Sequence, residues 1–107
     1  MQSSLDSLKS LIHLLDLPDT DYWSDDASCV ARAIIWRGGN ELLQEIMSEL
    51  ESWSIHRQQH LAYILGDSQA TLELEIALLT KLASSDDAEV AYTARESLGN
   101  ARASMPN

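Results

Sequence analysis

A chain of 107 residues is long enough for one modest core, and at 45% hydrophobic residues it is too apolar for a disordered tail. Seventeen acidic residues against seven basic ones give a formal net charge of −10, which repels nucleic acid and anionic membranes and speeds encounter with basic partners. A single cysteine, Cys29, excludes an internal disulfide, so nothing here requires an oxidising compartment.

Residues favouring helix dominate, and no segment alternates with a period of two. Leu5, Leu8, Leu11, Ile12 and Leu15 make one helical stripe, which Pro18 cannot continue. A second helix is expected to start at the capping cluster Ser24 to Asp26, to run through Val30, Ala33, Ile34 and Arg37, and to stop at Gly38-Gly39. Asn40 then caps a third, ELLQEIMSELE, with Leu42, Leu43, Ile46, Met47 and Leu50 on one face. Ser54 caps a fourth, IHRQQHLAYIL, which ends at Gly66. A fifth runs from about Gln69 to Ala83 and is apolar over more than one face, as a buried helix is. Asp86 with Glu89 forms a capping box for the sixth, EVAYTARESL, closed by Gly99.

The N-terminus lacks the basic start and continuous apolar run of a signal peptide, and no apolar stretch approaches a membrane span. The expectation is an all-α, cytoplasmic protein.

An internal repeat runs through these helices. LAYILGD precedes ARESLGN by 33 residues, and DDASCVARA precedes DDAEVAYTA by 61. Gly38, Gly66 and Gly99 become equivalent stops, and Ala33 matches Ala94. Such spacings suit a solenoid of helix pairs, roughly 3–38, 40–66 and 69–99, each burying its face only against its neighbour.

SDDAEVAYTARESLGN resembles the second helix of a HEAT repeat, LELEIALLTKLA the matching first helix, and HRQQHLAYILGD another closing element. The resemblance covers roughly residues 53–103. It implies a short α-solenoid of about three HEAT-like helix pairs, six helices in all. Size, acidity and the W-x-x-x-R-x-x-x-LAYILG pattern are also similar to bacterial immunity proteins of contact-dependent inhibition systems. Such a protein is no enzyme; it binds a cognate toxin, here expected to be a basic nuclease, and blocks it.

Second helices of HEAT-like solenoids line the concave side. This register places Glu89, Tyr92, Thr93 and Glu96 there, with His56, Gln59, His60 and Tyr63 at the equivalent positions. The mixture suits a binding face, although tyrosines also cover core edges with wet hydroxyls. DTDYWSDD adds Asp19, Asp21, Tyr22, Trp23, Asp25 and Asp26 as candidate partner contacts. Asp25 and Asp26 also suit the positive end of a helix. The wider acidity, including Glu41, Glu45 and Glu49, reads either as plain solvation or as a complement to a cationic partner.

Other chemistry finds little footing. His56 and His60, at i and i+4, share a helix face as metal pairs do, but they lack the glutamate of a hydrolytic site and have only His13 besides. Cys29, in apolar SCVARAII, is expected to be buried and inert. No metal or cofactor is expected. Trp36 and Trp53 read as structural, with Trp53 stapling the turn before Ser54; Trp23 is the tryptophan least explained by packing.

Overall fold

The computed structural model describes residues 4–66 and 73–104, which are all α with no strand among them. Helix α1 (Ser4–Leu15) is followed by a π-helical turn (Trp23–Ala27) leading into α2 (Ser28–Glu49). A 3-10 turn (Leu50–Ser52), α3 (Ile55–Ile64), α4 (Glu73–Ala83) and α5 (Ala88–Ser104) complete the order. The start expected near Gln69 lies outside the described residues.

Helix α1 buries Leu8, Leu11 and Leu15 on the expected stripe and stops three residues before Pro18. Helix α2 departs from expectation at both ends. Ser24, Asp25 and Asp26 are not its caps, because helical bonding has already begun with the Ser24 N–H on the Thr20 carbonyl at 3.1 Å. The Ser28 N–H then reaches back to the Trp23 carbonyl, one residue further than an α-helix does. Widening the turn by one residue resets the register of everything that follows. Trp23, Ala27, Ala31 and Ile35 face inward, while Val30 and Ala33 are exposed. Ala33 is thus no counterpart of buried Ala94. Cys29 rotates outward with Val30 and is exposed, not buried as expected.

The expected stop at Gly38-Gly39 is a break within α2 rather than its end. Gly39 adopts φ 59° and ψ −150°, a region that side chains with a Cβ avoid, and it divides α2 into two arms. The second arm carries the Leu42, Leu43, Ile46 and Leu50 stripe, all buried.

Ser54 caps α3 as expected, its hydroxyl accepting from the Arg57 N–H at 3.2 Å. Trp53, just before it, is buried beneath the Arg57 guanidinium, 5.2 Å from the ring centroid. The cap of α5 is Asp87, not Asp86: its carboxylate accepts from the Val90 N–H at 3.0 Å. Gly99 does not close that helix. The inward row of Val90, Ala94 and Leu98 continues into Ala101, so burial carries α5 past the glycine to Ser104.

Helix α5 packs on both α3 and α4, and α1 packs on α2 and α3. Leucines and isoleucines from every helix meet in one hydrophobic cluster, including Leu11, Leu43, Ile64, Leu79 and Leu98. The α3–α5 approach is close: Ser97 Oγ donates to the Ala62 carbonyl at 2.7 Å. This contact fixes the two helices that carry most of the candidate surface.

Candidate functional site

The first half of α3 grips the end of α1. His60 Nδ1 lies 2.9 Å from the Leu15 carbonyl, and His56 Nε2 lies 2.7 Å from the Leu17 carbonyl. Carbonyls only accept, so both ring nitrogens donate. Arg57 forms a fork on Asp16, Nε to Oδ1 at 2.9 Å and Nη2 to Oδ2 at 2.8 Å. Helix ends leave carbonyls without intrahelical partners, and these three side chains satisfy the last turn of α1 and place a cation beside it. HRQQH is therefore a tertiary clamp. The His56 and His60 ring centroids are 4.3 Å apart, each ring already holding a carbonyl. No group of three or more metal-competent side chains occurs among the described residues.

His60 is 3% exposed and its pKa lies below the ordinary value, chiefly because burial disfavours the charged ring, with nearby His56 adding to this. The neutral ring carries its proton on Nδ1, facing Leu15. Asp16 is likewise held below the usual carboxylate range, first by the hydrogen bond from Arg57.

Trp23 was expected on the partner surface and lies instead in the core. Its indole stacks on the His60 ring, centroids 3.9 Å apart and planes within 8°. The widened turn that follows explains this, by setting Trp23 in the same inward row as Ala27. His60 is equally withdrawn from the surface. Around Trp23 the remaining residues of the acidic segment stay outside: Asp19, Asp21, Asp25 and Asp26 are exposed, and Tyr22 is 60% exposed. Trp36, read as structural, is 63% exposed on α2.

Tyr63 is the centre of what remains. It is 42% exposed and lies between two clefts. One, of about 210 Å³, is lined by Asp19, Trp23, Ser24, Gln59, His60 and Tyr63. The other, of about 290 Å³, has Tyr63, Arg32, Thr93 and Glu96 among its lining residues. The Arg32 guanidinium lies 5.4 Å from the Tyr63 centroid, and its Nη2 donates to the Tyr63 carbonyl at 3.5 Å. Gln59 Nε2 donates to Thr93 Oγ1 at 2.8 Å, joining α3 to α5 beneath this surface.

The structure thus brings Asp19, Gln59, His60 and Tyr63 to one cleft and Tyr63 and Glu96 to the next. Tyr92 flanks them, its hydroxyl donating to Glu96 Oε1 at 2.8 Å, which lifts its pKa. Glu89 is exposed in the first turn of α5 and lines neither cleft; nor do Asp21, Tyr22, Asp25 and Asp26. Arg32 is the residue that sequence reasoning missed. Its position as the first Lys or Arg after the acidic run is the signal that could have found it.

No helix among the described residues is long and apolar enough to cross a membrane. No family model matches the chain, and neither does any curated protein or solved structure.

Proposed function

We propose that the chain is a protein-binding module of the immunity type, acting in the cytoplasm and neutralising a basic nuclease toxin by direct occlusion. The observation that carries this reading is the Tyr63 surface. Two adjoining clefts and an exposed tyrosine are bordered by Asp19 and Glu96, on a molecule of net charge −10. Nucleases hold phosphates in basic clefts, and an acidic surface with a half-buried aromatic at its centre complements one. Charge steers encounter, and Tyr63 and Tyr92 supply area that holds the complex.

The HEAT-like solenoid belongs to the same reading. Its support is that Gln59 on α3 and Thr93 on α5, which the repeat assigns to the concave side, meet in one hydrogen bond. Residues 56, 59 and 63 and their repeat partners 89, 92 and 96 are all half-buried or exposed.

A second reading is a HEAT-like scaffold or adaptor in another assembly. The outer face of α2 favours it, since Val30 and Trp36 are more than half exposed there and line neither cleft. Co-expression with the toxin reading frame of the neighbouring gene tests the two. The immunity reading expects rescue of growth and a complex that survives purification at about 0.1 M salt, forming more slowly at about 1 M, where the Debye length falls from about 10 to about 3 Å. Toxicity unchanged, with no complex at either salt, overturns it.

A further inference from the structure

The cleft of about 210 Å³ beside Tyr63 contains two buried polar atoms with no hydrogen-bond partner among the described residues, His60 Nε2 and Gln59 Oε1. Burying an acceptor without a donor is costly, and such atoms are few in folded proteins. Their sign is defined by what their neighbours do. His60 gives its Nδ1 proton to Leu15, so Nε2 of the neutral ring is an acceptor. Gln59 commits its amide nitrogen to Thr93, so Oε1 is an acceptor too. Ser24 Oγ, on the same cleft, spends its proton on the Asp21 carbonyl at 3.3 Å and keeps its lone pairs. Asp19 adds a carboxylate. The site is all acceptors, with one negative charge and aromatic walls from Trp23 and Tyr63.

We propose that this cleft is a guanidinium-binding subsite, filled by an arginine side chain of a protein partner. A guanidinium offers five N–H donors in one plane, enough to serve a carboxylate, an imidazole nitrogen and an amide oxygen together, and its flat face stacks on aromatic rings. An ammonium is compact and more strongly hydrated, and it matches separated acceptors and flat walls less well. A neutral or anionic group would leave Asp19 uncompensated beside acceptors it could not satisfy. The volume is several times the share of a water molecule, about 30 Å³, and so admits a side-chain head with part of its stem.

The inference rests on the reading of the protein as a binder of basic proteins, but the subsite is testable without one. Ethylguanidinium is titrated into the labelled protein while the Gln59 side-chain amide, the Trp23 indole N–H and the His60 ring nitrogens are followed by NMR. Tetramethylammonium, a cation with no donors, is titrated at the same ionic strength. The expected result is saturable change at all three residues with ethylguanidinium only. Half-saturation should weaken about tenfold in Asp19→Asn and in Gln59→Ala, as loss of a charge-assisted or buried partner implies. Circular dichroism verifies that both variants are folded. Absence of saturation, an equal response to tetramethylammonium, or unchanged half-saturation in both variants overturns the subsite. Ethylguanidinium binding without any toxin binding leaves the subsite standing and removes the immunity reading. Toxin binding of undiminished affinity in Asp19→Asn and Gln59→Ala does the reverse.

Discussion

The indole of Trp23 lies flat on the imidazole of His60, with centroids 3.9 Å apart and planes within 8° of parallel. This contact ties the acidic segment before α2 to the middle of α3, and it separates neighbours of opposite role. Trp23→Ala should cost about 3–5 kcal/mol, as truncation of a buried aromatic does. Tyr22→Ala, one residue earlier and exposed, should stay within about 0.5 kcal/mol of the parent. Urea denaturation of the two variants measures both values, and similar small losses would contradict the placement of Trp23.

The same burial gives the protein an acid-sensitive element. The His60 pKa is lowered on folding, so as pH falls the unfolded chain takes up the proton first. This contribution to stability is complete above about pH 6.5 and declines below it until the folded ring also protonates. The His60 ring nitrogens, followed by NMR, should titrate below that ordinary value, with Nδ1 carrying the proton in the neutral form. Titration at or above it, or a neutral ring protonated at Nε2, would contradict the Leu15 hydrogen bond.

Arg57 and Asp16 should couple weakly but measurably. Their side chains are 23% and 43% exposed, so solvent screens the pair, and a double-mutant cycle with Arg57→Met and Asp16→Asn should give about 0.5–1 kcal/mol. The carboxylate pKa is lowered by the fork. The coupling is therefore full above the ordinary carboxylate range and disappears as pH falls through the lowered value. A coupling that persists in strong acid would exclude the ion pair as its source.

Two glycines should respond oppositely to alanine. Gly66 has φ 85°, and a Cβ there would lie 2.8 Å from the Ser97 carbonyl oxygen, so Gly66→Ala should lose about 1–3 kcal/mol. Gly99 sits inside α5 with open space around it, and Gly99→Ala should gain about 0.5–1 kcal/mol. Thermal melts of the pair decide. Equal effects would mean that α5 ends at Gly99 after all.

What the sequence disclosed was set by how local the cause is. The stripes Leu8/Leu11/Leu15 and Leu42/Leu43/Ile46/Leu50, the inward row of α5 and the Ser54 cap follow from spacing alone, and all appear where the pattern put them. The widened turn at Trp23–Ala27 carries no such mark, and one additional residue in it was enough to turn Cys29, Val30 and Ala33 outward and Trp23 inward. Gly99 looked like a stop because the burial of Ala101 beyond it is a tertiary fact. In the site, Gln59, Tyr63 and Glu96 were visible from the repeat register. The role of His56 and His60 was not, because their partners are backbone carbonyls of Leu17 and Leu15, some forty residues away in the chain.

The central claim is that the surface around Tyr63 captures a basic protein. Its most direct test is the affinity of the purified protein for the toxin domain encoded by the neighbouring gene, measured for the parent and for Tyr63→Ala at about 0.1 M and about 1 M salt. An aromatic at the centre of an interface should be worth about 2 kcal/mol, roughly a thirtyfold loss of affinity on truncation, with the association rate of the parent falling steeply at the higher salt. Tyr63→Ala binding as tightly as the parent, at a rate indifferent to salt, would contradict it.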